Sequence, residues 1–149
     1  MFLIEISQKI RKNRRLDKMG RPIHFEIHVD NMERAKTFYG EVFDWKFEDW
    51  SDYAGMPYFG AVTGDDNEMG INGALIKRPV PLSDNNQAVN GYACTMGVED
   101  YDSTEAKILE NGGTVALPKH ALPSMAWQGY YKDSEGNLFG IHQTDENAK

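Results

Sequence analysis

Cysteine is almost absent from this chain: Cys94 stands alone among 149 residues. An internal disulfide is therefore excluded, which suits a reducing cytoplasm. Cys94 lies in the apolar run GYACTMGV, where a small buried thiol with no chemical role is expected. Long hydrophobic runs are missing as well. MFLIEIS is too short to span a membrane, and it precedes a basic run, the reverse of a signal peptide. No glycine-rich phosphate loop and no serine-centred elbow is present. Positive charge is scarce outside one end. Residues 1–21 carry a net +5, the remainder −12, and the whole chain −7. That balance argues against nucleic acid as a partner.

What is present suits a packed domain. Apolar residues make up 40% and aromatic residues 11%, too high for disorder. The basic stretch 1–21 reads as an arm outside the core, with a membrane-surface helix as the alternative. Residues 22–144 read as one domain of two modules, 22–78 and 90–144, followed by a tail at 145–149. The joint at 79–90 is rich in Pro, Asn and Ser.

The order of elements repeats across that joint. Residues 22–29 alternate as a strand. Asp30 and Glu33 form a capping-box pattern, and Met32, Ala35, Phe38, Tyr39, Val42 and Phe43 follow at helical spacing up to Asp44. Strands are expected at 45–50, 58–63 and 73–78, with GDDNEMG as a turn. The second half runs as a strand at 91–98, a helix capped at Glu99 or Asp100, a glycine stop at 111–113, and strands at 114–117, 127–133 and 138–143. Ser134-Glu135-Gly136-Asn137 supplies the last hairpin turn. Val29 is matched by Val98, 69 positions on. The fold class is α+β: two βαβββ units, each with an apolar sheet face to bury against the other.

Strand parity gives the chemical lead. Phe25, Ile27 and Val29 share one face; His24, Glu26 and His28 share the other. Glu26, if desolvated, serves as a general base; paired with a histidine or the backbone, it is only an anchor. His120, in the Pro-flanked loop LPKHALPSM, reads either as a residue closing over a ligand or as a simply exposed one. Tyr58 and Trp127 read as pocket walls or as core, as do Trp50, Tyr53 and Met56. Asp65, Asp66 and Glu68 form an acidic, solvated turn.

The stretch ERAKTFYGEVFDW after His24, with GVEDYDSTEAKILENGGTV and the KDSEGNLFGI hairpin, resembles the vicinal oxygen chelate superfamily, the glyoxalase/bleomycin-resistance/dioxygenase group. The resemblance covers residues 22–144. It implies glyoxalase-like βαβββ modules whose curved mixed sheets surround a cup, commonly in a homodimer. In metal-using members four side chains, from the first and last strands of each module, hold a divalent ion. The matching positions here are His24, Asn72 or Gly73, Ala93 and Gly140, so most of the inherited ligands are lost. His24 and His28, roughly 13 Å apart at ~3.3 Å per residue, do not share an ion. His24, Glu26 and His142 form the rebuilt metal set. The rival is a cavity of neutral histidines and one carboxylate. The expected function is a small-molecule site in the cup, with Glu26 as the catalytic candidate and His28, Tyr58, Trp127 and His120 against the ligand. The reading leans to a metal-independent or metal-depleted lyase or isomerase. The alternatives are a non-catalytic binding protein of the antibiotic-resistance kind and a metal-dependent dioxygenase or lyase with a rebuilt site. The cofactor stays open, and a cytoplasmic protein without a membrane span is expected.

Overall fold

The computed structural model describes Pro22 and residues 24–80 and 93–149. The basic arm and most of the Pro-rich joint lie outside the described residues. No helix among the described residues is long and apolar enough to cross a membrane.

The first module runs β1 (Phe25–Val29), α1 (Met32–Phe43), β2 (Lys46–Asp49), a single turn α2 (Ser51–Ala54), β3 (Tyr58–Val62) and β4 (Gly73–Lys77). The second runs β5 (Cys94–Gly97), α3 (Tyr101–Glu110), β6 (Thr114–Leu122), β7 (Ala126–Lys132) and β8 (Leu138–Thr144). The strand orders correspond: β1-β4-β3-β2 in one sheet and β5-β8-β7-β6 in the other. Each first strand pairs parallel with the last of its module, and the remaining pairs are antiparallel. This is the duplicated βαβββ fold expected from the repeat.

Helix α1 forms because Ala35, Phe38, Tyr39 and Val42 recur on one side and are buried there. Its N-cap is Asn31, whose side chain accepts from the Arg34 N–H, and not Asp30 as the capping-box pattern implied. Asp30 instead meets Arg78 at 3.2 Å. Asp44 ends the helix in the left-handed region, φ 58°. On α3 the cap is Asp100.

The core is continuous across the two modules. Tyr39 stacks on Trp45 at 4.7 Å, Trp45 touches Phe25, and Phe38 and Phe43 of α1 meet Phe139 of β8 edge-on at 5.9 and 5.8 Å. A second fastening is polar. The β7–β8 hairpin offers the buried Glu135 carboxylate to the Asp30 and Asn31 N–H groups and to the Arg34 guanidinium. Asp133 accepts from the Tyr39 hydroxyl at 2.5 Å, and Arg78 donates to the His28 carbonyl and to Asn137.

Three expectations change. Cys94 is exposed, not buried, because β5 is the outer strand of its sheet. Strand β6 continues to Leu122, so His120 lies in a strand and not in a loop. Pro118 is tolerated there because β6 is also an edge, and the register shifts on both sides of Leu117. Third, the turn α2 lies between the strands expected at 45–50 and 58–63, where no element was expected.

Candidate functional site

In both modules the helices cover one sheet face and leave the other open. On the first sheet His24, Glu26 and His28 are exposed on that open face, as parity requires, while Phe25, Ile27 and Val29 pack toward α1. The parallel register sets Glu26 beside Ala74 and His28 beside Ile76; the antiparallel one sets Ile76 beside Tyr58. The small Ala74 leaves room for the Tyr58 phenol. Its hydroxyl lies 3.0 Å from His24 Nε2 and donates to Glu26 Oε1 at 3.3 Å. With the hydroxyl proton committed to Glu26, the phenol oxygen accepts from His24 Nε2–H. Proton donors therefore run in one direction, from imidazole through phenol to carboxylate. Burial, and then the adjacent Glu26 charge, raise the Tyr58 pKa, which keeps the phenol a neutral donor.

An aromatic platform adjoins this trio. Trp50 stacks on Tyr58 with ring centres 6.4 Å apart and planes 12° apart. It is 45% exposed and lies over Gly60, where any Cβ would come within 3.0 Å of the indole. The indole N–H donates to Glu48 at 3.2 Å. Sequence reasoning placed Trp50 with the general aromatic surface; its contact with Tyr58 arises from the α2 turn, which has no periodic signal of its own.

The second sheet carries a separate row. His120, Gln128 and His142 are cross-strand partners on β6, β7 and β8, so they share the open face. His142 Nδ1 lies 2.8 Å from Gln128 Oε1. Trp127 is not among them. It points to the helix-bearing side, where the Lys119 ammonium covers both it and Tyr101, and its indole N–H donates to Asp145. One residue of parity along β7 separates it from Gln128.

The inherited ion does not fit these residues. His24 Nε2 is engaged by Tyr58. The Asn72 amide oxygen accepts from Thr63, Gly73 faces Phe25, and Ala93 offers no donor atom. At Gly140 even a Cβ would stand 2.8 Å from Thr95 Oγ1 and 3.0 Å from Gln128 Nε2. Of the rebuilt set, His24 and Glu26 stand on the first sheet, and His142, on the second, has its Nδ1 against Gln128. Among the described residues no three His, Cys, Asp or Glu side chains are grouped to hold an ion.

The family described as Bleomycin resistance protein-like N-terminal matches residues 21–57, a span that holds His24, Glu26 and Trp50. No curated protein matches the sequence. Among solved structures, the chain superposes on a glyoxalase family protein from Bacillus cereus with TM-score 0.66 and 18% identity, covering 87% of this chain and 97% of that one. A glyoxalase-related enzyme from Fulvimarina pelagi gives TM-score 0.62 and 19% identity, over 85% and 89%. A fosfomycin resistance protein from Listeria monocytogenes gives 0.62 and 12%, over 86% and 96%. The chain has the vicinal oxygen chelate fold. Within that fold its KDSEGN hairpin does structural work: Asp133, Glu135 and Asn137 bind the first module, Asn137 through the His28 backbone carbonyl.

Proposed function

We propose that this protein binds a small molecule on the open face of the first module without a divalent ion, using Glu26, Tyr58 and His24 as polar anchors and Trp50 as an aromatic wall. The observation that carries this reading is the Tyr58 hydroxyl between His24 Nε2 and Glu26 Oε1. A few convergent polar groups beside an aromatic surface are what small-ligand sites require. Here the position that would hold a metal-binding imidazole is instead part of a hydrogen-bonded trio.

A second reading, favoured by the direction of that trio, is proton transfer in a lyase or isomerase. Glu26 would take a proton from one position of a bound ligand and return it to another, with the neutral Tyr58 hydroxyl holding the carboxylate in place. In both readings the working unit is a glyoxalase-like domain at 22–144 in a cytoplasmic homodimer. The exposed free thiol of Cys94 suits a reducing compartment.

A metabolite and antibiotic panel screened by thermal shift, with and without chelator, tests the binding. A ligand that binds only the native state raises the melting point. The expected hits persist in chelator and weaken about tenfold in Tyr58→Phe or Glu26→Gln, as for a lost hydrogen bond to a charged group. Hits that vanish with chelator, or that ignore both substitutions, overturn the reading.

A further inference from the structure

Glu26 is not the only carboxylate on the open face of the first sheet. The register sets Glu26 beside Ala74, Ala74 beside Gly60 and Gly60 beside Glu48, so all four share that face in one row. Three inter-strand steps put the two glutamate Cα atoms roughly 14 Å apart. Between them the row holds no side chain larger than a methyl group, and aromatic rings fill the space. A Cβ at Gly60 would stand 3.0 Å from Cε2, Cζ2 and Cη2 of Trp50 alike. Equal distances to three consecutive ring atoms occur only on the ring axis, so the indole lies face down on this glycine. Its other face is turned to solvent, and the residue is 45% exposed. The Tyr58 ring lies within 12° of the same plane, so the two rings form one platform.

Each ring ends on a carboxylate. The Trp50 indole N–H donates to Glu48 at 3.2 Å and the Tyr58 hydroxyl to Glu26 at 3.3 Å. These bonds spend the ring donors that an anionic ligand would need. No ion pair among the described residues includes Glu26 or Glu48. Lys46 shares their face one row on, but its ammonium is paired with Asp44 at 2.5 Å. The unmatched charge beside the platform is therefore negative.

We propose that this face selects organic cations: an ammonium, guanidinium or amidinium group on a flat apolar body, laid on the Trp50 and Tyr58 rings between the Glu26 and Glu48 carboxylates. A cation over an aromatic face is attracted by the ring quadrupole, and tryptophan is the strongest such surface. The inference rests on the small-molecule reading of the same face and adds the charge of the ligand to it. Glu48 and Trp50 set specificity. Gly60 is a positioning residue, acting only through the indole that it lets lie flat.

Benzamidinium, benzamide and benzoate share one flat shape and differ in charge. Titrating each into the full chain at about pH 8, where ordinary imidazoles are neutral, tests the inference. The Trp50 indole N–H resonance reports the contact. Benzamidinium should shift it and bind about tenfold tighter than benzamide, and benzoate should not bind. That ratio should fall about threefold in Glu48→Gln, as for an exposed ion pair, and shrink as salt is raised. Gly60→Ala, which lifts the indole and removes no charge, should weaken benzamidinium by a similar factor. Glu110→Gln, exposed on α3 of the other module, should leave the ratio unchanged. Should Gly60→Ala fail to fold, Glu48→Gln, exposed on the edge strand β2, still decides the matter. No shift at the Trp50 indole, tighter binding of benzamide or benzoate, a ratio unchanged in Glu48→Gln, or an equal loss in Glu110→Gln would each overturn the inference. Neutral or anionic ligands from the screening panel that still depend on Tyr58 would overturn it too, while leaving the binding reading intact.

Discussion

Glu135 joins the two modules through a buried polar contact. Its carboxylate is buried, caps the N-terminal end of α1 through two backbone N–H groups and pairs with Arg34. Burial alone would raise its pKa. The hydrogen bonds from Arg34, the Asn31 N–H and Ser134 outweigh that and hold it below the ordinary value of 4.5. A depressed carboxylate stabilises the fold above its unfolded pKa, and that stability is lost as pH falls through the folded value. Asp133, two residues away, has the opposite sign. Burial raises its pKa despite the donors from Tyr39 and the backbone, so its contribution declines as pH rises above the ordinary carboxylate value. Glu135→Gln should cost about 2 kcal/mol at neutral pH, most of it from lost charged hydrogen bonds. The Arg34 pair adds little because that side chain is half in solvent. Urea unfolding as a function of pH checks the sign: the gap between wild type and variant should close below pH 4.5. A gap that stays constant into acid would mean that the carboxylate charge is irrelevant.

At the scale of elements, the caps show how far local sequence reaches. Asp30 and Asn31 both have cap-competent side chains, yet only Asn31 Oδ1 reaches the Arg34 N–H, at 2.9 Å. Asn31→Ala should therefore cost about 1 kcal/mol. Asp30→Ala, which removes a partly exposed pairing with Arg78, should cost less than that. Chemical denaturation of the two variants reads the difference, and equal losses would refute the assignment of the cap. Periodicity made α1, β1, β3 and β4 legible, because each buries one regular face. It also put His24, Glu26 and His28 on the open side. It failed where a residue's face is set by a partner strand. The sequence WQGYYK carries aromatic residues on both faces of β7, so nothing local shows that Trp127 turns toward Tyr101 and Gln128 away from it. Pro118 read as loop, because a bulged edge strand that accepts proline has the same composition as a turn. Glu135 has no local signal at all, since its partners lie about a hundred positions earlier in the chain.

At the scale of the whole molecule, the question is whether the duplicated modules fold as one. The polar fastening and the aromatic core answer it in the same sense. Phe38 of α1 and Phe139 of β8 are buried, belong to different modules and touch edge-to-face with centres 5.9 Å apart. Tyr39 reaches from the same helix to Asp133, and Phe43 also meets Phe139. A module opening alone would strip this shared surface from its partner, so unfolding should be a single transition. Phe38→Ala and Phe139→Ala should each lower stability by about 3–5 kcal/mol. Because the two rings are in contact, the double variant should lose less than the sum, by about 0.5–1.5 kcal/mol, the worth of an aromatic pair beyond its buried area. Tryptophan fluorescence and far-ultraviolet circular dichroism, followed together through urea unfolding, test both points. Trp45 reports on the first module and Trp127 on the second. Coincident curves with a coupled double variant are expected. Separate transitions for the two probes, or strictly additive losses, would show two modules that merely adjoin.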